Sequence, residues 1–229
     1  MGRAFDINAP LWVTPNHARA SIQDAWLGQF TSNGWVSALV RAGTQGVHSH
    51  SAMFRRNADE TVDLLELREF KGGRSKTFQY HMDQPGRIDV FSPDSSRWPE
   101  LRPAEAVAAM RRLTDCEYGW YGIWRMAARR LPVVWHLYPP TTDDRLPFEG
   151  DPIRQPFCSH AVSLAMQLGG KVDPVPRCPN YLVTPSQLTF SLLYRYEFSI
   201  ASGDCVKKYG REILRDAANN EYLLRQGNI

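Results

Sequence analysis

With four cysteines in 229 residues and no C-x-x-C pair among them, the chain has little material for metal or disulfide scaffolding. Cys116, Cys158, Cys178 and Cys205 are widely spaced and have no close Cys/His grouping, so the ligand spacing of a structural zinc site is missing. A disulfide framework is not expected in a cytosolic chain of this size. Charge of one sign is also scarce. The net charge is +3, and no Lys/Arg run interleaves with aromatics, which excludes the footprint of a nucleic-acid binder. No stretch approaches the ~18 consecutive apolar residues of a membrane span. The opening MGRAFDINAPLWV has no apolar signal-peptide core, and Asp6 breaks a myristoylation signal. The expectation is a cytoplasmic protein, delivered elsewhere only by lysis, a secretion system or a partner. Repeats and low-complexity segments are lacking too.

What is present is an ordinary globular composition, 43% hydrophobic and 22% charged. Seven tryptophans and sixteen prolines suggest packed cores joined by stiffened loops. Residues 18–31 read as a short helix or turn entering a first strand, and 35–46 as a helix ending at glycines. HSHSAMFRR (48–56) reads as a strand, and TVDLLELREFKGG (61–73) as another closed by a Gly-Gly turn. KTFQYHM and RIDVFSP read as two more. PAEAVAAMRRLTD (103–115) has helical spacing and Pro103 in its first turn. Residues 131–157 form a proline-rich loop, with an amphipathic helix following from Cys158 and a charged helix at 201–229. The fold class is α+β, a single domain over 1–229 with its core at about 27–200.

The stretch PFCSHAVSLAMQLGG (156–170) sets Cys158 at a helix start, where the positive end of the helix can stabilise a thiolate. Cys116 lies near a helix end, and Cys178 and Cys205 lie in connections. A nucleophilic cysteine also needs a base. His160 is near in sequence, but two helical positions amount to a rotation of about 200°, which points it away and leaves it a cap or surface residue. His17, His81 and His136 stand alone. In GVHSHSAMF, His48 and His50 share one face of a strand, and spacing does not choose between them. The group that orients the base is sought among Asp63, Glu66 and Glu69. Glu66 sits among Leu64, Leu65 and Leu67, where an ionised carboxylate needs a partner.

The ordered segments SHSAMF (49–54), LLELREFKGG (64–73), YGWYGI (118–123), FCSHAVSLAMQLGG (157–170) and VTPSQLTFS (183–191) resemble the circularly permuted NlpC/P60 papain-like families, YiiX/YebB-like branch. The resemblance covers roughly residues 27–200. It implies an antiparallel strand meander packed against helices, with Cys158 as nucleophile, His50 as base and Glu66 as the orienting residue. Tyr118 falls where these enzymes often place a pocket tyrosine; Trp120 and His48 join it as candidate substrate contacts. Two positions depart from the pattern. Gln29 replaces a usual aspartate, and His160 stands where glutamate is common.

The chemistry implied is acyl transfer through a thioester, with no metal or organic cofactor required. The expected function is that of a thiol peptidase or amidase acting on peptidoglycan peptides. Two alternatives are a lipid-directed amide or ester acyl hydrolase or acyltransferase, favoured by Trp120, Trp124 and Trp135, and a non-catalytic binding or assembly protein. The expected partner is thus a peptide or acyl-amide/ester substrate, with no nucleic acid and no integral membrane segment.

Overall fold

A computed structural model describes residues 5–6, 8–31, 35–44, 46–84, 86–120 and 155–202. The elements in chain order are α1 (Pro15–Ser21), β1 (Leu27–Thr31), α2 (Trp35–Thr44), β2 (His50–Arg56), β3 (Val62–Arg68), β4 (Gly72–Thr77), α3 (Phe78–Met82), β5 (Gly86–Pro93), α4 (Pro103–Leu113), α5 (Cys158–Leu168), a 3₁₀ turn (Asn180–Leu182), α6 (Pro185–Thr189) and β6 (Tyr194–Ser202). The architecture is α+β. One six-stranded antiparallel sheet has the order β4-β3-β2-β1-β5-β6.

Alternation along the strands sends side chains to two cores. Leu27, Met53, Leu65, Leu67 and Phe91 face α4 and α5, meeting Met110, Leu113, Leu164 and Phe157. Phe30, Phe54, Leu64, Ile88 and Phe198 face the other way, covered by Ala18, Ile22, Phe78 and Met82 from around α1 and α3. The sheet is therefore the middle of three layers. On its α5 side, every residue from Cys158 to Met166 is buried. The apolar stripe read from the sequence as amphipathic is thus only part of a helix enclosed all round.

Short helices start where a side chain satisfies their first N–H groups. Thr14 accepts from His17 N ahead of Pro15, and Thr184 and Gln187 form a reciprocal capping box around Pro185. The same device corrects the reading of KTFQYHM as a strand: Thr77 ends β4 and accepts from Tyr80 N, so Phe78–Met82 turns into α3. The Gly-Gly pair is likewise not a turn. Gly72 and Gly73 open β4, and the reversal lies at 69–71, with Lys71 N bonded to Arg68 O at 3.0 Å and Phe70 in the left-handed region at φ 61°. Gly169 ends α5 against α4, where a Cβ would collide with Glu105 O.

At the β6 edge, residues 11–13 run alongside the sheet. Ser199 N donates to Leu11 O (2.7 Å) and Val13 N to Ser199 O (3.0 Å), with Trp12 in a parallel bridge to Ser199. Of the expected loop over 131–157, residues 131–154 lie outside the described residues, as do Trp124, Trp135, His136, Cys205 and residues 203–229 of the expected charged helix, whose first two residues end β6.

Candidate active site

Cys158 is the first residue of α5. Phe157 precedes it as N-cap without a side-chain cap bond, so no side chain there competes for the first N–H groups of the helix. Cys158 is 3% exposed. His50 is the first residue of β2, and Glu66 lies on β3. The β2–β3 ladder runs from Arg56↔Val62 to Met53↔Leu65 and stops there, although both strands continue. Beyond that last pair the connection is made by side chains. His50 Nε2 donates to Glu66 Oε2 at 2.6 Å. This bond fixes the tautomer, leaving Nδ1 as the basic nitrogen.

Nδ1 is buried without a well-formed hydrogen bond, and the Cys158 side chain lies close enough to act on its protonation. Burial alone pushes the His50 imidazole down. The Cys158 contact and the Glu66 carboxylate outweigh it and raise the imidazole to about 9. β2 begins at His50, so His48 precedes the strand expected over 48–56, and of the two histidines His50 is the one that meets the cysteine.

Glu66 is fully buried and ionised. Burial opposes its charge, but the His50 hydrogen bond and the surrounding positive charges hold the carboxyl far below its usual range. The partner that an apolar run demanded is thus His50, together with Arg74. That arginine stands directly across the β3–β4 ladder, and its Nε and Nη2 reach Glu66 Oε1 at 2.7 and 2.6 Å. Arg68 Nη1 is 3.7 Å from Oε2, and His81 Nε2 is 3.8 Å from Oε1. Burial holds His81 down at about 4, so it is neutral at ordinary pH. Nothing in the sequence pattern singled out Arg74 or His81. Arg74 becomes legible only once the β3–β4 register sets it opposite Glu66.

Tyr118 completes the inner wall. It is 8% exposed, and its hydroxyl interacts with Cys158. Burial, then the neighbouring Cys158, push its phenol well above the ordinary value, so it stays protonated. Trp120 packs edge-on to Tyr118 at 5.2 Å between ring centroids and against Phe70 at 4.7 Å. Phe70 itself is 69% exposed.

His48 has no place in this wall, which corrects its reading as a substrate contact. It is fully buried with both nitrogens committed, Nε2 to Asp89 Oδ2 and Nδ1 to Thr189 Oγ1, each at 2.8 Å. Asp89 also accepts from Arg87 Nε at 2.7 Å and from Ser199. Beside this network, Gln29 ties β1 to α6: its Nε2 donates to Pro185 O, and its Oε1 accepts from Ser51 Oγ, both at 2.9 Å. His160 is also corrected. It is neither cap nor surface residue but buried beside Phe157, and burial lowers it to about 4.

Cys116 and Cys178 are half-buried. Among the described residues, no group of three or more His, Cys, Asp or Glu side chains is arranged to hold a metal ion, and no helix is long and apolar enough to cross a membrane.

Neither a protein-family profile nor a curated protein sequence matches the chain. Among solved structures, the metalloprotein YiiX from Escherichia coli O157:H7 is similar at 12% identity and a TM-score of 0.46, over 76% of this chain and 96% of that one.

Proposed function

We propose that the chain is a cysteine hydrolase with a permuted papain-like, NlpC/P60-type fold, cleaving an amide or peptide bond through a thioester. The observation that supports it most is the set of contacts Cys158–His50–Glu66, in which a thiol at an uncapped helix start lies beside an imidazole whose Nε2 is anchored. A helix N-terminus and a neighbouring imidazolium are the two features that make a thiol nucleophilic.

Cys158 transfers its proton to His50 Nδ1 and forms a C–S bond to the substrate carbonyl carbon. The oxygen that takes up the electron pair meets the Cys158 backbone N–H, and the Tyr118 hydroxyl serves as a second donor. As the tetrahedral species collapses, the C–N bond breaks and His50 gives its proton to the departing nitrogen. Water then repeats the sequence: His50 Nδ1 takes its proton, hydroxide oxygen bonds to the acyl carbon, and the C–S bond breaks.

Cell-wall peptides are the proposed substrates. Phe70 packed against Trp120 beside Tyr118 favours a second reading, an amide or ester carrying an apolar acyl chain. The test is intact mass spectrometry of wild type and Cys158→Ala after exposure to peptidoglycan fragments and to acyl lipids. An acyl adduct on Cys158 with turnover of wall peptides is expected. Turnover confined to lipids selects the second reading, and the absence of adduct and turnover with both classes sinks the hydrolase.

A further inference from the structure

Glu66 divides its two oxygens between two cations on neighbouring strands, Oε2 for His50 on β2 and Oε1 for Arg74 on β4. Both Arg74 N–H contacts converge on the one oxygen that His50 does not use. We propose that Arg74 is a positioning residue whose guanidinium keeps Glu66 a carboxylate in both protonation states of His50, so that Oε2 always holds the imidazole with Nδ1 toward Cys158. The inference rests on the catalytic reading above and adds the residue that lets its base cycle.

The argument is one of charge. While His50 is an imidazolium, Glu66 has a counter-charge. When His50 surrenders its proton to the leaving group, a fully buried carboxylate beside a neutral imidazole would capture a proton itself. Its carboxylic acid would then bind the imidazole in place of the imidazole's own N–H, and the tautomer would flip. A permanent cation on Oε1 prevents this.

Arg68 also holds Glu66 ionised, but Arg74 is the cation in direct contact with it. On its own strand, Arg68 stands 3.7 Å from Oε2, beyond a hydrogen bond, and is nearer the surface. From α3, His81 is neutral at ordinary pH. Cys158 from α5 acts on His50, and Tyr118 acts on Cys158. Glu69 pairs loosely with Arg68 at 4.0 Å.

The test compares wild type, Arg74→Gln and Arg74→Lys by two readouts: the NMR titration of the His50 ring and the pH dependence of Cys158 alkylation by iodoacetamide. Removing a positive charge raises proton affinity at the site. In Arg74→Gln the His50 titration should therefore move upward by about one pH unit. The onset of fast alkylation should follow, with about tenfold slower reaction at pH 6. Arg74→Lys keeps the charge and should restore most of both shifts. An unmoved His50 titration in folded Arg74→Gln overturns the proposal, as does an equal shift in Arg74→Lys. The NMR readout does not need a reactive thiol, so an inert Cys158 with a shifted His50 would defeat the hydrolase while leaving the charge relation intact.

Discussion

Gly119 lies against the backbone of Gln155, so close that a Cβ at Gly119 would collide with the Gln155 carbonyl. Its N–H donates to Pro156 O at 2.9 Å. The segment carrying Tyr118 is thereby pinned to the one that leads into Cys158, and only a residue without a side chain fits between. Gly119→Ala should force the two apart, costing about 1–3 kcal/mol of stability. It should also slow Cys158 alkylation at neutral pH relative to wild type. Thermal melts and alkylation rates together check this; a full-rate, wild-type-stable variant would mean that the contact has no consequence.

The His50–Glu66 pair makes stability depend on pH in the alkaline direction. His50 is raised from 6.5 in a free chain to about 9 in the fold. Its contribution is complete below the lower value and is lost as pH climbs through the higher one. Urea midpoints for wild type should fall between pH 6.5 and 9. In Glu66→Gln that slope should shrink, the Cys158 contact supplying the rest, and Cys158 should react more slowly below the ordinary thiol range.

Acid should act through different histidines. His81 and His160 are both held near 4 by burial, against 6.5 unfolded. Below 6.5 the unfolded chain gains protons that the folded one refuses, so stability is lost as pH falls from there toward 4. The loss begins above the range where carboxylates titrate. His160→Gln should flatten the decline between pH 6.5 and 4.5 in urea titrations, and an unchanged slope would contradict the assignment.

The network around His48 predicts a purely structural phenotype. Thr189→Val removes the partner of His48 Nδ1 in a fully buried place and should cost about 1–3 kcal/mol. The pH profile of Cys158 alkylation should stay as in wild type. His50→Gln should do the reverse to the profile, abolishing its low-pH limb.

Much of this arrangement was legible in advance where one signal dominated. The α4 and α5 segments announced themselves through helical spacing, Pro103 and the terminal glycines, and Cys158 through its place at a helix start. Glu66 followed from the cost of a lone carboxylate among leucines. Spacing alone did not choose His50 over His48, and only the resemblance pointed to His50; each histidine reaches a carboxylate of another strand, and what separates them is the Cys158 contact, which no local pattern carries. His48 instead found Asp89, 41 positions away, and Thr189, 141 positions away. Phe78–Met82 misled because its β-type composition is overruled by one threonine cap. Arg74 was silent for the same reason as Asp89: a cross-strand partner is a property of register, which no local pattern carries.

The run of residues 11–13 beside β6 has a bearing on how the molecule behaves in a crowded solution. An open strand invites pairing with another chain, and a broad sheet that offers two such margins can propagate into fibres. Here the Leu11 and Val13 bonds to Ser199 occupy part of one margin, while the other is β4, bearing Arg74 and Lys76 and tied to the Cys116 carbonyl through Gly73 N. The fold thus covers part of one border and charges the other, and releasing residues 11–13 would bare the Ser199 backbone groups that they now occupy.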